Sequence, residues 1–512
     1  MFLNFITFTF LNYNLKISLE NIIMFILLSS TFTFILTTII TEIKQIKFFI
    51  LVKNFICFYI FVILLVFYPN FDQKYMDIFN TPNTIFYFDN LSLLSSTMST
   101  FIFLLCYVYI LRNLSLSIKP LVLLIQFTEL LVLTCFSIRS LLFFYIAFEL
   151  LSLPTIVLLL LYGSRGRRIW ATTLFFTYTF LSSIFPLISI FIIYNYFGTL
   201  NMDSFLHNEN LVLFNNIYIC IFIFTFAWIA FSIKLPTMPL HLWLPEAHVE
   251  APTVGSVILA SLLLKLGGFG ILRVILPLTH NISLTFRVIP IIFCVISVFY
   301  ASFLAYKHFD LKKIIAYSSI LHMNFSILAC LTESKICLIG CIISMLCHSI
   351  IAAFPFFMAG FLYEKFKTRN LLYYSSLTNT SDLMYFSFFF VILSNMAIPI
   401  AISFPGELAL YCGLFLSNFN LFLTMIFMLF FSGLFSPMLV YRIVYFNKPF
   451  NIKIISFSIK NNIYISPLTT QNNLLFTNSE LFITLSLTSQ IFLFFIAPDI
   501  FIYHIIEFIN LL

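Results

Sequence analysis

Glu129, Glu149 and Glu407 lie inside long apolar stretches of this 512-residue chain, and so do Lys234, Lys265, His322 and His348. An ionised group at the centre of a bilayer costs ~2.5–3.5 kcal/mol on insertion scales, so each of these residues needs a partner or a purpose. The chemistry open to such a set is proton exchange. Glu149, in Phe148-Glu149-Leu150-Leu151-Ser152-Leu153-Pro154, reads either as a neutral, hydrogen-bonded acid that fixes packing or as the partner of Lys234. A nearby cation favours the charged carboxylate and burial disfavours it, so drawing such a pair apart moves a proton. Lys265 has no carboxylate within one turn of its own helix, so its ammonium must find a partner elsewhere or give up its proton.

The remaining candidates leave two readings open. His322 and His348 fit satisfied core histidines, and equally a relay, since imidazole titrates near neutrality and has two distinct nitrogens. His241 follows Lys234 by seven residues, but the prolines between them forbid assuming a shared helical face. Glu129 fits packing or a lipid-facing protonated acid as well as function. A metal site is not expected: His241 and His248 flank Glu246 without the HExxH spacing, and Pro245 interrupts the segment. No GxGxxG or Walker sequence occurs, and no CxxC pair, so no cofactor is expected in this chain.

The elements that must position these groups follow from composition. Hydrophobic residues make up 62% and charged residues 9%, against ~25% charged in soluble proteins, which excludes a water-soluble globule. Fourteen apolar runs are long enough to cross as helices: 22–41, 47–68, 90–111, 120–138, 140–161, 169–194, 213–245, 253–276, 287–306, 311–331, 335–361, 383–416, 420–446 and 480–506. We number them helices 1 to 14. Eighteen Lys/Arg residues, Lys53 among them, fall to odd-numbered loops and five, Arg273 among them, to even-numbered ones. That asymmetry supports an even count, with both termini on the Lys/Arg-poor side. The net charge of +7 therefore reads as topology, not as a nucleic-acid footprint. The first 17 residues hold Lys16 and no Arg, unlike a signal or transit peptide; with 70 Phe, 25 Tyr and only 12 Gly this suggests synthesis inside an organelle.

Runs 7 and 12 are too long for one straight crossing and contain Pro236, Pro239 and Pro245, and Pro399, Pro405 and Gly406. Proline removes a backbone donor, and a break at membrane depth survives only where protein or a watery cavity satisfies the freed groups. The expected fold is an all-α polytopic membrane protein of about 14 transmembrane helices. Helices 4–8 and 9–13 would form two inverted five-helix repeats with broken helices 7 and 12. The expected divisions are residues 1–111, 112–276, 277–446 and 447–512. Gly267-Gly268-Phe269-Gly270 reads as close helix packing.

Long motifs add a resemblance. Lys234-Leu-Pro-Thr-Met-Pro-Leu-His-Leu-Trp-Leu-Pro-Glu-Ala-His-Val-Glu-Ala-Pro252 and Ser261-Leu-Leu-Leu-Lys-Leu-Gly-Gly-Phe-Gly-Ile-Leu-Arg273 closely resemble the antiporter-like subunits of respiratory complex I. So do Tyr145-Ile-Ala-Phe-Glu149 and the stretch from Asp310 to His322; His348-Ser349 departs from the usual His-Gly. The resemblance implies a proton-translocating subunit of the mitochondrial inner membrane, driven by quinone reduction elsewhere, with both termini in the intermembrane space. NADH, FMN, iron–sulfur clusters and ubiquinone would sit in other subunits. Partners would be membrane lipids and other membrane-arm subunits, especially the antiporter-like subunits 2 and 5. Glu149 and Lys234 would pair in a first half-channel, Lys265, His322 and His348 would form the central axis, and Glu407 in Phe404-Pro-Gly-Glu407 would be the exit-side group. A glutamate at that place resembles the subunit-4 branch of the family. A cation/proton antiporter subunit of a non-redox complex is the alternative.

Overall fold

The computed structural model describes residues 19–39, 42–67, 86–112, 118–202, 217–279, 284–371, 382–399, 401–426, 477–496 and 498–511. Among these residues the regular structure is helical, as hydrocarbon requires: without water, only a helix satisfies its own backbone groups within one crossing segment. Thirteen of the fourteen expected crossings fall in described residues. Helices 1 to 4 are Leu19–Ile39, Ile43–Phe67, Asn90–Ile110 and Ile118–Ser137. Helix 6 is Arg168–Phe197, and helices 9, 10 and 11 are Leu284–Lys307, Leu311–Cys330 and Lys335–Phe366. Helix 14 comes in two pieces, Asn478–Ile496 and Pro498–Leu511. Most of run 13 lies outside the described residues, as do Lys74, Arg442, Lys448, Lys453 and Lys460 of the charge count.

The interruptions have local causes. Helix 5 divides at Leu151 into Leu141–Leu150 and Ser152–Tyr162 because Pro154 has no hydrogen to give the Leu150 carbonyl. Helix 7 divides into Ile217–Lys234 and Trp243–Glu250 around Pro236 and Pro239. Protein groups take up the freed carbonyls there: Asn324 Nδ2 of helix 10 donates to the Pro236 oxygen at 3.2 Å, and Trp243 Nε1 to that of Ile233 at 2.9 Å. Helix 12 divides into Asp382–Asn395 and Phe404–Ser417, with Pro405 in the first turn of the second piece. Ser403 Oγ there donates to the Ser394 carbonyl at 2.8 Å. Broken helices 7 and 12 hold fourth place in helices 4–8 and 9–13, while helix 5 adds a break at second place that helix 10 lacks.

Helix 8, from Thr253 to Thr279, is the centre of the molecule. From Val254 to Leu278 it is buried throughout, packed by helices 3, 5, 7 and 11. Helices 6 and 9 instead present large apolar side chains outward, Trp170, Phe191 and Ile289 among them, as lipid-facing helices do. The glycine run lets neighbours approach. A Cβ at Gly267 would fall 2.7 Å from Leu235, one at Gly268 2.5 Å from Met345, and one at Gly270 2.1 Å from the Phe231 ring. Gly270→Leu is therefore expected to destabilise the chain by ~1–3 kcal/mol through overpacking. A thermal midpoint in detergent equal to that of Gly166→Ala, where nothing lies within 4 Å, would contradict this.

Candidate functional site

The first repeat brings Glu149 and Lys234 together. Glu149 is in the last turn of the first piece of helix 5 and Lys234 ends the first piece of helix 7, so both sit at helix interruptions. Lys234 Nζ is 4.0 Å from Glu149 Oε2, 3.5 Å from the Phe148 carbonyl and 4.4 Å from the centre of the Phe148 ring. Glu149 Oε1 is buried without a hydrogen-bond partner. The pair is thus close enough to attract, ~4 kcal/mol at 4 Å for an effective dielectric near 20, but not locked.

The second repeat places His322 and Glu407 in the equivalent positions. Helices 5 and 10 are second in their repeats and helices 7 and 12 are fourth, so the acid has moved from the second helix to the broken one. His322 Nδ1 is 3.2 Å from Glu407 Oε1. His322, His348, Ser344, Ser394, Ser403 and Glu407 line a cavity with about 20 Å³ open to water-sized occupants. One water needs ~10–15 Å³ by that measure, and this polar lining supplies its partners.

Lys265 joins the two halves. Its Nζ lies 2.8 Å from the Ala260 carbonyl and 2.8 Å from His348 Nδ1, and the side chain is 8% exposed, so it does not reach a membrane surface. The His348 and His322 rings are 5.9 Å apart between centres. Lys265, His348, His322 and Glu407 therefore form a run of titratable side chains, the last three of which line the polar cavity. Two π-helical stretches, Leu259–Leu263 and Ile271–Ile275, flank Lys265 on helix 8. Such bulges loosen the regular ladder and cluster at functional sites. The Ala260 carbonyl that receives the ammonium belongs to the first of them.

A family model described as the membrane segment of NADH:quinone oxidoreductase and Mrp antiporters matches residues 139–434. The chain belongs to this family. NADH-ubiquinone oxidoreductase chain 4 of Acanthamoeba castellanii is 35% identical over 357 residues, 70% of this chain and 71% of that protein. Its namesake in Prototheca wickerhamii is 37% identical over 330 residues, 64% of this chain and 62% of that one. Among solved structures, a chain of respiratory complex I from Thermus thermophilus gives a TM-score of 0.76 at 18% identity, covering 95% of this chain and 99% of that one. A chain of the Mrp complex from Dietzia sp. gives 0.79 at 15% identity, covering 97% of each. At these identities the two structures speak for the fold. The family stretch holds Glu149, Lys234, His241, Lys265, His322, His348 and Glu407 and leaves out Glu129.

His241 is buried, but its ring packs edge-on against Tyr300 of helix 9, outside the run of contacts just described. Glu129 does not face lipid. It is fully buried, accepting from Lys53 Nζ at 2.6 Å and from the Tyr107 hydroxyl at 2.8 Å. Lys53 corrects the charge count, which placed it in the first loop: it lies inside helix 2, whose apolar residues continue on both sides of it. Arg273, Arg287 and Lys312, also counted to loops, are buried on helices 8, 9 and 10. Arg273 pairs with Asp89 at 3.3 Å, Arg287 with Glu333 at 2.6 Å, and Lys312 donates to the Ala251 carbonyl at 2.7 Å. Lys234 and Lys265 are therefore not the only enclosed cations. His248, weighed in the sequence only as a metal ligand, is fully buried against the Phe356 ring and within electrostatic reach of Lys265 and Lys312.

Proposed function

We propose that this chain is the subunit-4 member of the membrane arm of NADH:ubiquinone oxidoreductase and moves protons along Glu149, Lys234, Lys265, His348, His322 and Glu407. The observation that carries the reading is the Lys265–His348 contact at 2.8 Å, which ties the two repeats through a single hydrogen bond between nitrogens. Quinone reduction in other subunits supplies the energy, and NADH, FMN, iron–sulfur clusters and ubiquinone belong to those subunits. The chain itself carries out no redox step. Its neighbours in the membrane are subunits 2 and 5 of the same complex, in the mitochondrial inner membrane, with both termini facing the intermembrane space. The names of the relatives support this assignment, and the polar run supports the role.

The test is made in the assembled complex. Lys234→Ala and Glu407→Ala are expected to lower the number of protons moved per electron while the complex still runs at its normal position on a native gel. An unaltered proton-to-electron ratio in both variants would reject the reading. A second reading, a cation/proton antiporter subunit of a non-redox assembly, draws on the fold likeness to the Mrp complex chain. Co-purification of an NADH-oxidising assembly with this chain after mild detergent extraction decides against it.

A further inference from the structure

A second group of titratable side chains lies far from the polar run, where the last piece of helix 14, Pro498–Leu511, closes over the ends of helices 2 and 3. His504 is fully buried there. Its Nε2 is 2.9 Å from the Leu65 carbonyl, near the end of helix 2, and its Nδ1 is 2.9 Å from Asn90 Oδ1, the first residue of helix 3. Asn90 Nδ2 in turn donates to Glu507 Oε2 at 2.7 Å. Tyr503 donates its hydroxyl to the other oxygen of Glu507.

Donor counting fixes the protons. A backbone carbonyl only accepts, so His504 Nε2 carries a hydrogen. With Asn90 offering Nδ2 to Glu507, its Oδ1 faces Nδ1, which must carry a hydrogen too. The ring is then an imidazolium and Glu507 a carboxylate. Turning the Asn90 amide over gives the other consistent arrangement: Nδ2 donates to a bare Nδ1, and Oδ1 receives a hydrogen from a protonated Glu507. Each arrangement holds one dissociable proton. A neutral imidazole beside a carboxylate leaves two acceptors facing each other whichever way the amide is turned, and a buried unpaired acceptor is costly.

We propose that His504, Asn90 and Glu507 form a binding site for one proton, which fastens the end of helix 14 to helices 2 and 3 at the Lys/Arg-poor end of the chain. The ligand is the proton itself, held at either end of the trio, and the Asn90 amide turns to match whichever end holds it. Among the described residues, the other nearby charges are as follows. Asp89 beside Asn90 gives its Oδ1 to Arg273 of helix 8 and to the Ser92 backbone N–H, and its Oδ2 is buried without a hydrogen-bond partner. Helix 2 carries its lysines, Lys44, Lys47 and Lys53, in its first half, away from Leu65. Helix 11 begins with an exposed Lys335. Its Glu364 and Lys365, with Glu480 of the first piece of helix 14, join Arg112 at the opposite end of helix 3.

Because the bound proton completes the contacts, they are intact below the site's titration point and lost as pH rises through it. Hydrogen exchange of residues 498–511, measured on the intact complex from pH 6 to 9 and corrected for intrinsic exchange, is expected to lose protection by about tenfold or more across that point. Glu507→Gln supplies a permanent donor to Asn90, so its protection is expected to stay high at every pH. His504→Phe removes both ring donors and is expected to be weakly protected throughout. A flat profile in the unaltered protein, or a step that survives Glu507→Gln, overturns the proposal. Since the readout is protection of one helix, the outcome is separate from whether protons move along the run from Glu149 to Glu407.

Discussion

Replacing Lys265 with methionine is expected to slow proton transfer through this chain by roughly 10²-fold or more, the scale lost when a positioned proton carrier is removed, so that its share of the protons moved per electron disappears. Methionine keeps the length and apolar stem of lysine, so the packing of helix 8 should survive; what disappears is the hydrogen bond to His348 and the charge held against the Ala260 carbonyl. Lys265→Arg sharpens the test. A guanidinium keeps its charge but does not release its proton, and its planar fork does not fit a site built for a single point donor. If the role of Lys265 were only to carry positive charge, arginine would restore transport. Restoration by arginine, or undiminished transport in the methionine variant, would remove the central link. Proton release from sealed vesicles per NADH oxidised, compared with the amount of assembled complex, is the measurement.

The second large effect concerns the pair that is locked. Glu129→Ala leaves the Lys53 ammonium enclosed among helices 2, 3 and 4 with its carboxylate gone, which costs ~3–5 kcal/mol. Against a native margin of ~5–15 kcal/mol that is enough to deplete the assembled complex several-fold. The double replacement Lys53→Met with Glu129→Leu removes both charges and keeps the volume, and is expected to return assembly close to normal, because the attraction in such a pair largely offsets the desolvation of its two members. Band intensity on native gels follows both outcomes. A double variant as depleted as the single one would mean that the charges are needed for themselves. The contrast with Glu149 and Lys234 is geometric: Glu129 has both oxygens satisfied at 2.6 and 2.8 Å, while Glu149 keeps one oxygen unpaired and its cation at 4.0 Å.

The described crossings and the breaks of helices 7 and 12 are legible because they follow from local rules, whereas the break of helix 5 at Leu151 is not among the expected ones. Run length sets a helix, and Pro236, Pro239 and Pro405 each remove a donor wherever they stand. The glycine run of helix 8 announced close packing, and all three glycines do meet a neighbour's side chain. Lys53 was misread because its charge was grouped with Lys44 and Lys47, although apolar residues continue for well over a turn on either side. Its partner stands 76 residues away, a separation that no helical period encodes. Proximity in space was equally out of reach for His348: its sequence neighbours allow a packed core histidine, and only the meeting of helices 8 and 11 puts it on the Lys265 ammonium. The looseness of one ion pair and the tightness of another are differences of about an ångström, which composition and spacing do not carry.

The enclosure of helix 8 has an electrical consequence. Every side chain from Val254 to Leu278 is buried in protein, so acyl chains never touch the segment that holds Lys265. Insulation of that charge is supplied by the surrounding helices, and the bilayer need only seal the outer rim formed by helices such as 6 and 9. Exchanging fatty-acyl composition should therefore alter how the subunit sits among its lipids while leaving leakage through its centre unchanged.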